Sequence, residues 1–224
     1  DATKHVDELF WRTLTAKLKL ATSCSPMIYQ IGETYGSREL IGSYIGSGML
    51  DAQFDFNVYD DAVAALANKN ESFVRLKNSL NESLRYFGYH NLMGYITGNQ
   101  DRPRFISFAG GDLSFTEDAK LAGWMRNIGV GDTAGYNKLM LLHAFNLTIP
   151  GVPVIYYGDE FGMPGANDPD NRRMMKFENL TVKENHVKEV VTRLNHFRSS
   201  SMPLLYGDMQ FINVSEDIMV YSRQ

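Results

Sequence analysis

Leu92-Met93-Gly94-Tyr95-Ile96-Thr97-Gly98-Asn99-Gln100-Asp101 is the stretch on which the fold turns. A strand-like run ends in a glycine and three polar side chains. A short, mainly apolar run closed by turn formers suits a buried strand. The figure recurs upstream, where Met27-Ile28-Tyr29-Gln30-Ile31 runs into Gly32-Glu33. It recurs downstream, where Val152-Pro153-Val154-Ile155-Tyr156-Tyr157 runs into Gly158-Asp159-Glu160. Met49 to Asn57 alternates like a fourth strand.

Helical spacing fills the intervals. Residues 4–20 place apolar side chains at helical period, Ser37 to Ile45 forms a short helix, and Tyr59 to Leu66 is Ala-rich. Residues 71–87 set Phe73, Leu76, Leu80 and Leu84 along one stripe. Thr116 reads as the N-cap of a helix opening with Glu117 and Asp118, whose charges suit the helix dipole. Tyr136 to Leu147 and Val182 to Arg198 are helical as well. Strands alternating with helices at this spacing predict an α/β fold with a parallel sheet. After a break at Ser199–Pro203, Met209–Val214 and Ile218–Arg223 read as antiparallel strands joined by Ser215-Glu216-Asp217.

Composition excludes several functions. The 224 residues are 44% hydrophobic, enough for one large domain or part of one. Twenty-two Lys and Arg against 26 Asp and Glu give a net charge of −4 with no basic block, which argues against nucleic acid and anionic membranes as partners. No stretch approaches the roughly 18 apolar residues of a membrane span. Cys24 is the single cysteine, so no disulfide forms within the chain, and in its Ser/Pro loop it reads as an inert thiol. No signal peptide is visible, and compartment stays open between periplasmic or secreted and cytoplasmic. The five histidines are scattered, with no HExxH or Cys/His cluster, no phosphate-binding Gly loop and no Gly-x-Ser-x-Gly elbow.

What remains is a set of acids at strand ends. Asp1 is followed one turn later by Lys4 and His5, a cation and an imidazole suited to polar substrate; the set also reads as a helix start. Glu33 follows Gly32, which permits close approach, and serves as a proton donor or a salt-bridged structural group. In Asn99-Gln100-Asp101-Arg102-Pro103-Arg104 the amides and the carboxylate suit sugar hydroxyls, and the guanidinium groups suit carboxylates; a polar turn with an ion pair is the alternative. Asp159 reads as architectural, and Asp168-Pro169-Asp170-Asn171-Arg172-Arg173 as a loop that lines a cleft or caps its rim.

Together these segments resemble the α-amylase family of glycoside hydrolases, closest to its neopullulanase and cyclomaltodextrinase branch. DATKHV (1–6) resembles the strand-four motif with the nucleophile, and IGETYG (31–36) the strand-five motif with the general acid/base. TGNQDRPRF (97–105) resembles the strand-seven motif with a transition-state-stabilising carboxylate. GVPVIYYGDEFG (151–162) with NDPDNRR (167–173) is similar to strand eight and its loop. The resemblance covers nearly the whole chain. It implies Asp1 as nucleophile, Glu33 as acid/base and Asp101 as stabiliser, with Lys4, His5, Asn99, Gln100 and Arg104 binding substrate or supporting the carboxylates. Gln100 departs from the family, where many members have His. The family's Arg two positions before the nucleophile and its strand-three His motif lie outside this chain.

The resemblance implies the second half of a (β/α)8 TIM barrel, strands five to eight starting at the end of strand four, over residues 1–202. Residues 203–224 then begin a C-terminal β-sandwich. A complete barrel needs about 250 residues, so the chain is expected to be a fragment, aggregation-prone and inactive alone. The expected activity is retaining hydrolysis of α-glucosidic bonds, mainly α-1,4, in starch, maltooligosaccharides, cyclodextrin or pullulan. The alternatives are an α-glucan transglycosylase on the same scaffold and a non-catalytic carbohydrate-binding relative. No metal ligands or cofactor are expected in this segment, and calcium is left open for the full-length enzyme. The expected partner is an α-glucan oligosaccharide or polysaccharide; oligomeric state is left open.

Overall fold

The computed structural model describes residues 3–22, 28–68 and 71–224. After a 3₁₀ turn at Thr3–His5, the first helix, α1, spans Glu8–Ala21. It opens later than residue 4 because Asp7 supplies the cap: its carboxylate accepts from the Leu9 amide at 2.8 Å. Strand β1 (Ile31–Gly32), helix α2 (Arg38–Gly42) and strand β2 (Ala52–Gln53) follow, then helices α3 (Phe56–Ala67) and α4 (Phe73–Phe87). Next come β3 (Gly94–Ile96), α5 (Phe105–Ala109), α6 (Ala119–Met125), α7 (Ala134–Thr148) and β4 (Val152–Val154). Helices α8 (Val182–Ser200) and α9 (Met202–Tyr206) lead to β5 (Met209–Val214) and β6 (Met219–Arg223).

The parallel sheet is present. β1 runs parallel to β2, with Ile31 opposite Ala52, and β3 runs parallel to β4, with Gly94 opposite Val152. A parallel bridge between Phe54 and Gly94 joins the two pairs, so spatial order follows chain order. All four strands therefore deliver the loops after them to one edge. Gly94 permits this closeness: a Cβ there would lie 2.5 Å from Ile31 Cδ1 and 2.7 Å from Phe54 Cδ1.

The strands are shorter than their sequence patterns. Met49 and Leu50 fold back into a turn, with Gly46 N–H donating to Leu50 O and Leu50 N–H to Tyr44 O. Asp55 leaves the strand to cap α3, accepting from Val58 N–H at 3.1 Å. The helix expected to open at Glu117 behind a Thr116 cap opens at Ala119 instead, capped by Asp118. The Thr116 hydroxyl is engaged with that of Ser114, while the Asp118 carboxylate takes the amides of Lys120 and Leu121.

Helices cover the sheet. Leu76 and Leu80 of α4, Leu139 and Leu142 of α7, and Val187 of α8 bury their side chains in one core with Tyr95 and Ile96. Of the α4 stripe, Leu76 and Leu80 are buried and Phe73 and Leu84 pack partly buried against the core, while Ser79, Ser83 and Phe87 also face inward. Asn146 pins α7 to the sheet by donating to Ile96 O at 3.0 Å. Arg198 is buried at the C-terminus of α7, where Leu147 and Ile149 carbonyls accept from its Nη1 and the helix dipole favours a cation. A capping box between Thr181 and Glu184 starts α8.

The C-terminal hairpin pairs antiparallel, with a register shift between Phe211 and Asn213. Met209, Phe211, Met219 and Tyr221 turn toward the core, and Arg223 donates to Thr148 O at 2.7 Å.

Candidate active site

Glu33 emerges one residue beyond β1, and Asn99 and Asp101 a few residues beyond β3. The C-terminal ends of the strands bring them to one cleft of about 240 Å³, lined by Glu33, Tyr35, Phe56, Asn99, Asp101 and Arg102. Asn99 donates from Nδ2 to Glu33 Oε1 at 2.7 Å, crossing between the two strand ends. The Asn99 carbonyl oxygen of the side chain in turn accepts from the Asp101 amide at 3.0 Å. Larger hollows of about 590 and 660 Å³ lie elsewhere, one against α2 and α4, the other beside α8 and the C-terminal hairpin. Neither gathers strand-end carboxylates, so volume alone does not locate the chemistry.

The chain start is tied to the same edge. Thr3 N–H donates to Glu33 O at 2.9 Å, and Glu33 N–H donates to Thr3 Oγ1 at 2.9 Å. Thr3 is thus fastened to the chain immediately after β1. Asp1 lies outside the described residues. Lys4 reaches into the loop after β1, donating to Tyr35 O at 3.0 Å, and His5 is exposed on the same 3₁₀ turn.

Asp101 stands open, its side chain 63% exposed, held by Arg172 Nη2 at 3.2 Å and by Gln100 Nε2 at 3.2 Å. Gln100 therefore touches the carboxylate beside it. One wall of the cleft is aromatic: Tyr35 meets Phe56 edge to face at 5.3 Å, and the Arg102 guanidinium lies 4.4 Å from the Tyr35 ring centroid. Arg102 also pairs with Asp60 at 3.1 Å. Burial pushes the Asp60 carboxyl above its ordinary value, against the lowering pull of Arg102. Phe56 and Asp60 escape a motif reading because they lie on α3, whose strand carries no acid into the cleft. The strand end at Phe54-Asp55 is the signal that could have found them.

Arg104 does not occupy the place expected for it. Its side chain is 1% exposed and paired at 2.9 Å with Asp159, itself 3% exposed. It donates further to Asn171 O at 2.9 Å and Tyr157 O at 2.6 Å, and it stacks on Tyr156. A guanidinium so enclosed cannot contact sugar, and its carboxylate partner is Asp159 rather than Glu33 or Asp101. Thr97 donates to the other Asp159 oxygen at 2.7 Å, completing a buried polar joint between β3 and the loop after β4. His143 backs it with a ring nitrogen 2.9 Å from Asp159 O, and burial pushes that imidazole below its ordinary value. Among the described residues, no group of three or more His, Cys, Asp or Glu could hold a metal ion.

Residues 4–202 match the family described as alpha amylase, catalytic domain. The chain belongs to the α-amylase family. Over its whole length it is 26% identical to a cyclomaltodextrinase from Geobacillus thermopakistaniensis, of which it spans 34%. Over 88 residues, 39% of the chain, it is 40% identical to a cyclomaltodextrin glucanotransferase from a Bacillus species, covering 12% of that protein. The α-amylase from Geobacillus thermoleovorans, solved in complex with acarbose, superposes on all of the chain with a TM-score of 0.77 at 23% identity; the match spans 44% of that structure. The chain thus spans about a third of the length of the curated relative it matches end to end. The parallel sheet and its helices are a fragment of the TIM-barrel-type fold of the α-amylase family. No helix among the described residues is long and apolar enough to cross a membrane.

Proposed function

We propose that this chain carries the three catalytic carboxylates of a retaining α-glucan-cleaving site. Strands β1 to β4 correspond to strands five to eight of an eightfold barrel over residues 1–202, and residues 203–224 open an all-β domain. Asp1 is the nucleophile, Glu33 the acid/base, and Asp101 the carboxylate that stabilises the oxocarbenium-like transition state. The Asn99–Glu33 hydrogen bond of 2.7 Å carries this reading, because the same Asn99 side chain accepts the Asp101 amide and so ties the two strand-end loops at one cleft.

The chemistry is the retaining double displacement that the family likeness implies. Glu33 protonates the glycosidic oxygen as Asp1 attacks the anomeric carbon, so the C1–O bond breaks and a β-linked glycosyl ester forms. Glu33, now ionised, takes a proton from water, which attacks C1 and releases the α-configured sugar. Asn99 holds Glu33 in place throughout, Gln100 offers an amide beside Asp101, and Lys4 and His5 meet sugar on the leaving-group side. Substrates are starch, maltooligosaccharides, cyclodextrin or pullulan, cut mainly at α-1,4 bonds. This segment supplies no cofactor, and any calcium would be held by other parts of the enzyme.

In the complete polypeptide, Glu33→Gln lowers turnover of maltooligosaccharides on the order of 10²–10⁴-fold. An α-glycosyl fluoride, whose leaving group needs no proton, loses far less in its first step. Unchanged turnover of maltooligosaccharides by Glu33→Gln overturns the assignment. The likeness to a glucanotransferase supports a second reading, in which a sugar hydroxyl replaces water. Longer products at high maltooligosaccharide concentration separate transfer from hydrolysis.

A further inference from the structure

The Asp101 carboxylate sits on a loop with no regular structure, residues 97–104, between β3 and α5. Its backbone carbonyls turn away from any strand ladder, and each must find a donor. Three of them find the same one. Asn171 Nδ2 lies 2.8 Å from Gln100 O, 2.8 Å from Arg102 O and 3.4 Å from Asn99 O. These acceptors flank Asp101 on both sides. Three carbonyls around one nitrogen also fix which end of the Asn171 amide faces them. The Asn171 backbone closes the frame by accepting from Arg104 Nε at 2.9 Å, where the loop enters α5.

We propose that Asn171 is the positioning residue for Asp101: its buried amide shapes the loop so that the carboxylate meets the reacting sugar. The inference rests on the carboxylate roles proposed above. Asn171 is 0% exposed, so it acts through the loop and touches no substrate. A neutral double donor suits the place. A carboxylate there would face three carbonyl oxygens, and a hydroxyl would reach fewer of them. The neighbour Arg172 meets Asp101 directly, but through a half-exposed ion pair that water screens. The buried amide is the part of the contact that water cannot replace.

Asn171→Ser and Asn171→Asp are compared with the wild type and with Asp101→Asn, all in the complete polypeptide and all normalised to folded protein. A misplacement of about 1 Å costs on the order of 10²-fold. Both Asn171 variants are therefore expected to lose kcat on that order with KM changed much less. Their affinity for a cationic analogue of the oxocarbenium ion should fall in step with kcat/KM, while binding of the product maltose holds. A loss of stability alone would leave the kcat of the folded fraction and the analogue-to-product ratio where they were. That result, alongside an inactive Asp101→Asn, overturns the role of Asn171 and spares the carboxylate assignment. An active Asp101→Asn overturns both.

Discussion

Arg102 and Arg104 stand two residues apart and live in different solvents. Arg104 is sealed beneath the loop with Asp159, Thr97 and two tyrosines, whereas Arg102 lies half-buried over Tyr35 with Asp60 at the cleft wall. Both are arginine–aspartate pairs with an aromatic face beside them. Burial decides what each pair is for. In the dry joint the charges are held by partners on every side and lock two loops together. At the wall, water shares the work, and the side chains remain available to shape what enters.

The sharpest way to break the comparison is to remove one partner of the buried pair. Asp159→Ala leaves Arg104 uncompensated and Thr97 without its acceptor, a loss of about 3–5 kcal/mol by chemical denaturation. The double variant Arg104→Met/Asp159→Leu should recover much of that loss, because an apolar pair of similar volume removes both desolvation penalties. A double variant as unstable as Asp159→Ala would mean that the joint depends on charge itself.

Asp55 tests burial without a close ion pair. Burial pushes its carboxyl above the ordinary value, against lowering contributions from the Ser83 hydroxyl, the Val58 amide and Arg38. The folded state therefore binds a proton more tightly than the unfolded chain, so this group's contribution to stability falls as pH rises from the ordinary carboxylate value through the raised one. Asp55→Asn keeps a cap for α3 and abolishes the charge. Its Tm at pH 8 should exceed that of the wild type. The gain should vanish by pH 4, and a pH-independent difference counts against the raised carboxyl.

The smallest stability effect belongs to the wall. Arg102→Ala should cost no more than about 1 kcal/mol, because the Asp60 pair is partly solvated. Its signature is functional: with its guanidinium cover gone, Tyr35 is freer to move, and KM for long maltooligosaccharides rises while Tm barely shifts. A Tm loss as large as that of Asp159→Ala would erase the distinction between the two arginines.

Much of this was legible in the order of residues. Apolar runs closing on Gly32-Glu33 and on Gly98 to Asp101 mark strand ends, because a buried strand stops where polar side chains must meet water. Helix faces such as Leu76 and Leu80 were equally plain. The two arginines were not. Pro103 sits between them, and nothing local says which faces inward. The choice is made by Asp159, 55 residues downstream. Asn171 was visible only as part of a turn-rich loop, since its partners are carbonyls, and carbonyls leave no mark in a sequence. The overlong second strand failed for a related reason: Asp55 fits a strand pattern, and only the helix start at Phe56 reveals it as a cap.

Gly32 and Thr3 leave one more trace. A Cβ on Gly32 would lie 2.7 Å from Thr3 Oγ1 and 2.5 Å from Leu50 Cδ1, while that same hydroxyl accepts the Glu33 amide. Positions 3 and 32 thus compete for one volume beside the acid. Across relatives that keep this geometry, the two should vary together: a side chain larger than hydrogen at 32 goes with loss of the hydroxyl at 3, and a retained hydroxyl at 3 goes with glycine at 32.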